Sequence, residues 1–139
     1  YGPALADAVG RQLVHHRHEV STDDERQVRY AGLPRSVVRS LAVMEANLAQ
    51  ALPIPEICRM VGQSQRQLAR LFLAHFGETP KQCYLGMRLD RAQRLLAGSH
   101  CRVTEAAMAT GFQQLTHFSR AYRARFSETP SQTAARGPG

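Results

Sequence analysis

Ile54-Pro-Glu-Ile-Cys-Arg-Met-Val-Gly62 and Val103-Thr-Glu-Ala-Ala-Met-Ala-Thr-Gly111 lie 49 residues apart and are one pattern written twice. At that offset Glu56 meets Glu105, Ile57 meets Ala106 and Gly62 meets Gly111. One extra residue then shifts the offset to 50, where Leu68 faces Phe118, Arg70 faces Arg120, Phe72 faces Tyr122 and Phe76 faces Phe126. Glu78-Thr79-Pro80 returns unchanged as Glu128-Thr129-Pro130, and Gln82 returns as Gln132. So many matches at one spacing mark a duplicated structural unit rather than two unrelated amphipathic helices.

Each copy reads as helix, tight turn, helix. In the first, Pro55 suits the opening helical position, and Ile57, Cys58 and Val61 share one face. Gly62 supplies a left-handed cap, and Ser64 caps a second helix whose apolar stripe is Leu68, Leu71, Phe72 and Phe76. In the second copy Thr104 is expected to cap, Ala106 and Ala107 point inward, and Gly111 closes the helix before the stripe Phe118, Tyr122, Phe126. Small residues at Cys58 and Ala107 let the paired helices approach closely. Two short helices joined through a glycine turn are the mark of a helix-turn-helix, expected at about 54–77 and about 103–127.

Working outward, Pro80 to Ala97 is a linker helix that starts with proline and stops at Gly98-Ser99. Leu85, Leu89, Ala92, Leu95 and Leu96 mark its inner face, and Arg88, Arg91 and Arg94 its exposed one. Eighteen residues at about 1.5 Å each span about 27 Å, compatible with two recognition helices about 34 Å apart, one turn of B-DNA. Ahead of the first copy, Arg35 to Ala51 reads as a further amphipathic helix on Val38, Leu41, Ala42, Glu45 and Leu48, ended by Pro53. Pro3 to His15 looks helical, and Glu19 to Pro34 is a polar connector without periodicity. The organisation expected is therefore an interdomain lead-in, 1–34, followed by one all-α binding domain, 35–139, with its linker helix at 80–97.

Charge follows the same division. Residues 1–37 carry five basic and five acidic groups, whereas the remainder carries 13 basic and six acidic, and hence the whole net +7 of the chain. A basic compact segment behind a neutral lead-in is the footprint of a nucleic-acid binder. Lys81 is the only lysine, and arginine suits bidentate contact with phosphate or guanine. Cys58, Cys83 and Cys101 are odd in number and too scattered for a zinc site, so a reduced, cytoplasmic setting with thiols packed as small apolar groups is expected. Nothing suggests a cofactor, and His15, His16 and His18 have no acid or cysteine at ligand spacing. No nucleophile motif accompanies the serines, which argues against an enzyme. No apolar run is long enough for a membrane span, and Tyr1 to Val14 lacks the charged leader of a signal peptide. The chain opens at Tyr1 rather than methionine, as expected of part of a longer protein.

In a helix-turn-helix the early residues of the second helix meet base edges, and contacts to the backbone set the register. The base-facing candidates are Gln65, Arg66, Ala69 and Arg70 in the first copy and Leu115, Thr116, His117 and Arg120 in the second. Arginine matches guanine, glutamine matches adenine, and Leu115 or Thr116 suits a thymine methyl. Ser64, Thr104, Gln114 and Arg123 are the phosphate candidates, while Arg125 is expected to be a phosphate or surface residue. A protein-interaction module would put apolar residues on these faces instead of Gln65, Arg66, Arg70, His117 and Arg120, and an RNA binder would need an aromatic stacking surface.

From Val38 to Arg136 the chain resembles the AraC family of bacterial transcription regulators. The resemblance is carried by Ser64-Gln-Arg-Gln-Leu-Ala-Arg70, Phe76-Gly-Glu-Thr-Pro80, Arg88 to Leu96, Gly111-Phe112, Phe118-Ser-Arg120, Phe126 and Pro130. It implies seven helices, control of transcription through promoter DNA, contact with RNA polymerase, and dimerisation of the intact protein through a portion outside this chain. Cys83 and Thr133 stand where the family often has tyrosine, and Ser127 stands where glycine is common. Gly2-Pro-Ala-Leu-Ala with Val9, Leu13-Val14 and Arg17 is similar to the tail joining an amidotransferase-like sensor domain to the DNA-binding domain in one AraC subgroup.

Overall fold

A computed structural model describes residues 31–137, and among them the chain is all α. The seven helices are α1 (Arg35–Ala46), α2 (Ile54–Val61), α3 (Gln65–Phe76), α4 (Pro80–Gly98), α5 (Val103–Ala109), α6 (Leu115–Phe126) and α7 (Pro130–Arg136). The lead-in readings, a helix from Pro3 to His15 and the connector up to residue 30, lie outside the described residues.

The chain divides into two compact units. Of the described residues, one takes 31–47 together with Leu52–Leu85, and the other takes Leu48–Ala51 and 86–137. The duplication seen in the sequence is the reason. In the first unit α1 packs on α2 and α3, and in the second α7 packs on α5 and α6. α4 belongs to both units: Cys83 and Tyr84 are buried in the first, and Gly86, Met87, Leu89, Asp90, Ala92 and Leu96 in the second. A helix shared by two cores has little circumference left for solvent. Thus Arg91 alone of the expected arginine face is exposed, Arg88 and Arg94 are half-buried, and so are Leu85 and Leu95.

The first unit corrects the reading of α1. Its buried stripe is Val37, Ser40, Leu41 and Met44, one position away from Val38, Ala42 and Glu45, and the helix ends at Ala46 rather than Ala51. Ser40 can occupy the core because its hydroxyl donates to the Ser36 carbonyl at 2.7 Å. The early stop has a tertiary cause: the Tyr84 hydroxyl donates to the Asn47 carbonyl at 2.5 Å and accepts from the Leu52 amide at 3.0 Å. That clamp takes residues 47–52 out of any helical ladder, so Pro53 is not what terminates α1. α2 begins at Ile54, with Pro55 second, buries Ile57, Cys58 and Val61, and ends on Gly62 at φ +74°. In α3 the Ser64 hydroxyl accepts from the Gln67 amide at 3.1 Å, and Leu68, Phe72 and Phe76 are buried. Leu71 is half-buried.

The second unit is built around aromatic rings. Phe112, Phe118, Tyr122 and Phe126 follow one another with centroids 5.0, 5.6 and 4.6 Å apart. The buried Tyr122 hydroxyl donates to Thr133 Oγ1 at 2.7 Å, and Thr133 donates on to Glu128 Oε2 at 2.5 Å. Glu128 also accepts from Arg136. Arg125, expected at the surface, instead forks onto Asp90 of α4, with Nε to Oδ1 at 2.8 Å and Nη2 to Oδ2 at 3.0 Å. Only 20% of its side chain and 11% of that of Asp90 remain exposed. Thr104 is not the cap of α5. Arg102 holds that position, and Glu105 reaches back to accept from its amide at 2.9 Å, a bond any residue but proline could donate.

The repeat also shows in the reciprocal caps. Thr79 with Gln82 opens α4 and Thr129 with Gln132 opens α7, each pair through bonds of 2.8 and 3.1 Å. It reaches α1 and α4 as well: at the offset of 49, Val37, Ser40 and Leu41 stand where Gly86, Leu89 and Asp90 do, and all six are buried.

Candidate nucleic-acid interface

A helix whose inner stripe is spent on the core offers the opposite side to solvent. In α3 that side holds Gln65, Arg66 and Arg70, all exposed, with Ala69 half-buried between them. In α6 it holds Leu115, 44% exposed, with Thr116, His117, Arg120 and Arg123. Arg66 and Arg70 are one turn apart, as are Thr116 and Arg120, so each helix presents a continuous ridge of side chains. Ser64 is exposed but spends its oxygen as the cap of α3, leaving its hydroxyl proton for a partner. Gln114 stands at the same place before α6, exposed and making no side-chain cap bond. Thr104 is exposed at the second position of α5. The candidates thus fall into one group on each unit, led in each by the second helix of the turn motif.

Electrostatics separates these arginines from three others. Arg59 is tied to Glu56, Arg125 to Asp90 and Arg136 to Glu128. Arg66, Arg70, Arg120 and Arg123 form no ion pair among the described residues, and neither α3 nor α6 contains an acid. Each exposed face therefore carries uncompensated guanidinium charge, the arrangement that suits a polyanion.

No cluster of histidine, cysteine and acidic side chains that could hold a metal occurs among the described residues. Cys58 and Cys83 are buried and Cys101 is half-buried. Burial pushes the Cys58 thiol up, and burial followed by the charge of Glu105 does the same to Cys101, which favours the thiol over the thiolate at both. Among the described residues no helix is long and apolar enough to cross a membrane.

Two further side chains lie beside this face. Arg88, expected on an exposed face, donates from its Nε to the Thr110 carbonyl at 2.7 Å, and its guanidinium lies 4.2 Å from the centre of the Phe112 ring. Phe112 in turn packs against His117. The one hint in the sequence was Arg39, which stands at the same place in the first copy.

Residues 57–136 match the family described as "Helix-turn-helix domain". The chain is similar to the HTH-type transcriptional regulator CdhR of Pseudomonas aeruginosa, 38% identical over 97% of this chain and 41% of that protein. It thus spans about two fifths of the length of such curated relatives. Among solved structures it is similar to a transcriptional regulator from Chromobacterium violaceum described as containing an AraC-type DNA-binding domain. The TM-score is 0.69 and the identity 37%, over 73% of this chain and 90% of that one. The DNA-binding domain of AdpA, solved in complex with a target DNA, shares the fold with a TM-score of 0.69 at 23% identity, over 74% of this chain and 93% of that one.

Proposed function

The chain belongs to the AraC-type helix-turn-helix DNA-binding family, and from that premise we propose that residues 35–139 read double-stranded promoter DNA through α3 and α6. Gln65, Arg66, Ala69 and Arg70 face bases in one major groove, and Leu115, Thr116, His117 and Arg120 face bases in the next. Ser64, Thr104, Gln114 and Arg123 hold phosphates. The observation that carries this reading is the pair of exposed, acid-free helix faces with Arg66, Arg70, Arg120 and Arg123 free of ion pairs among the described residues. That AdpA was solved with its target DNA supports the use of the same fold in the same way.

The whole protein is then a cytoplasmic transcriptional regulator whose effector-sensing domain and dimer contacts lie outside this chain, and which acts on RNA polymerase at the promoter. Relatives more than twice the length of the chain leave room for such a sensor.

The test is selection of bound duplexes by this chain from a randomised pool at roughly physiological salt. Two enriched blocks about 10 base pairs apart are expected. Retention without enrichment would reduce the chain to a non-specific basic module, and no retention even at low salt would favour a protein-binding role.

A further inference from the structure

The turn of the second helix-turn-helix is braced from outside itself. Arg88 reaches from α4 to the Thr110 carbonyl, 2.7 Å from its Nε, and spreads its guanidinium over the ring of Phe112. Phe112 is 4% exposed, and its ring meets that of His117 at a centroid distance of 5.6 Å and an angle of 67°. Between them Gly111 adopts φ +84°, and a Cβ there would come within 2.9 Å of the Leu48 carbonyl and 3.4 Å of Arg88 Nε. The backbone of the turn is therefore packed on both sides, and a contact chain runs from α4 through one ring to a side chain on the exposed face of α6.

The first unit solves the same problem differently. At the offset of 49, Arg39 replaces Arg88 and its Nη2 donates to the Met60 carbonyl at 3.2 Å, but Gln63 stands where Phe112 does. No ring connects that arginine to α3, whose start is instead held by the Ser64 cap. Gln114, in the place of Ser64, gives α6 no such bond. One repeat anchors its recognition helix by a local cap, the other by an aromatic ring under a cation.

We infer that Arg88 and Phe112 are positioning residues that set the base preference of the second recognition helix by holding the His117 ring and the start of α6 against the base-pair edge. This deepens the reading of α6 as base-facing and rests on it.

The block read by α6 is first identified as the one whose preference Arg120→Ala abolishes. Affinity of the chain is then measured for the selected duplex and for duplexes altered in either block, across a salt series. Arg88→Met and Phe112→Leu should each lower the preference at the α6 block about tenfold, within the range of one good base contact. The preference at the other block and the salt slope should stay unchanged. Arg39→Met, the matched position without a ring, should change neither preference. A merely destabilised protein loses active fraction against every duplex alike, so the ratio separates positioning from folding. Should Arg88→Met fail to fold, Arg88→Gln keeps an N–H at the Nε position for Thr110 but no plane over Phe112, and should show the same loss. An unchanged ratio overturns the inference, as does a fall in salt slope of about one, which would make Arg88 a phosphate contact. If His117→Ala leaves the preference intact, the base-facing reading of His117 fails first. If His117→Ala lowers it and the Arg88 variants do not, positioning alone fails.

Discussion

Replacing Asp90 by alanine removes the carboxylate onto which Arg125 forks, and leaves a guanidinium one-fifth exposed beside Gly86. Removing one member of a fully buried ion pair costs about 3–5 kcal/mol, while an exposed pair is worth about 0–1 kcal/mol. Exposures of 20% and 11% lie near the buried end, yet let water reach one edge of the arginine. The expected loss is therefore about 2–3 kcal/mol, roughly 10–20 °C in Tm for a unit of this size. Urea unfolding followed by circular dichroism reads it directly, with the slope checked for constancy. Arg125→Met in the same background should restore stability to within about 1 kcal/mol of the parent, since a well-packed apolar pair commonly substitutes for a buried ionic one. A loss below about 0.5 kcal/mol for Asp90→Ala, or strict additivity in the double variant, would refute the pair's structural role. Arg125→Met alone should leave the salt slope of DNA binding where it was, in contrast to a phosphate contact.

Arg70→Ala and Arg120→Ala should each weaken DNA binding by about 1–3 kcal/mol, and unchanged affinity in both would displace the recognition helices. Ser127 caps α6 at φ +60°, where its counterpart Gly77 sits at +69°. Ser127→Gly relieves about 1–2 kcal/mol of left-handed strain against about 0.4–1 kcal/mol of extra unfolded-chain freedom. A small rise in the urea midpoint is expected, and a fall would contradict that balance. The bonds from Arg136 and then from Thr133 hold the Glu128 carboxyl down at about 2. Its unfolded value is about 4.3, so its contribution is complete above that pH and disappears as pH falls through about 2. The stability gap between the parent and Glu128→Gln should thus stay constant above pH 5 and close toward pH 2; a gap indifferent to pH would disprove the linkage.

The turn motifs were legible because their signals are local. Gly62, Ser64 and the apolar steps Leu68–Phe72–Phe76 act within a few residues, and the second copy confirmed the first. The polar side of each second helix was legible for the same reason, since Arg66, Arg70, Thr116, His117 and Arg120 are what the stripes leave over. Where the structure departs from that pattern, the causes are either distant partners or local bonds that composition hides. α1 stops where a tyrosine 37 residues later grips Asn47, which no window over α1 contains. Its register slipped because Ser36 and Ser40, polar by composition, are buried with Ser40 bonded inside its own helix. A charge pattern puts Arg88 and Arg125 outside because it counts the head group, whereas a long side chain can bury its stem and carry that head to a partner. Thr104 lost its cap because Glu105 closes onto a backbone amide and asks only that the residue owning it not be proline.

The hydroxyl of Tyr122 and that of Thr133 are bonded to each other inside the second unit, while the first unit holds Phe72 and Cys83 at the matching places. All four side chains are buried. The chain thus preserves two outcomes of one evolutionary choice, and both members differ together. Losing Thr133 alone would strand the phenol hydroxyl in a buried place, at about 1–3 kcal/mol, whereas losing the phenol alone leaves Thr133 still donating to Glu128. The order of change between descendants of a common ancestral unit therefore matters: a threonine bonded to its glutamate can stand without the phenol, but the phenol depends on the threonine. Grafting the second unit's tyrosine into the first is consequently a paired operation, and libraries that place the tyrosine without its threonine will discard most of what they sample.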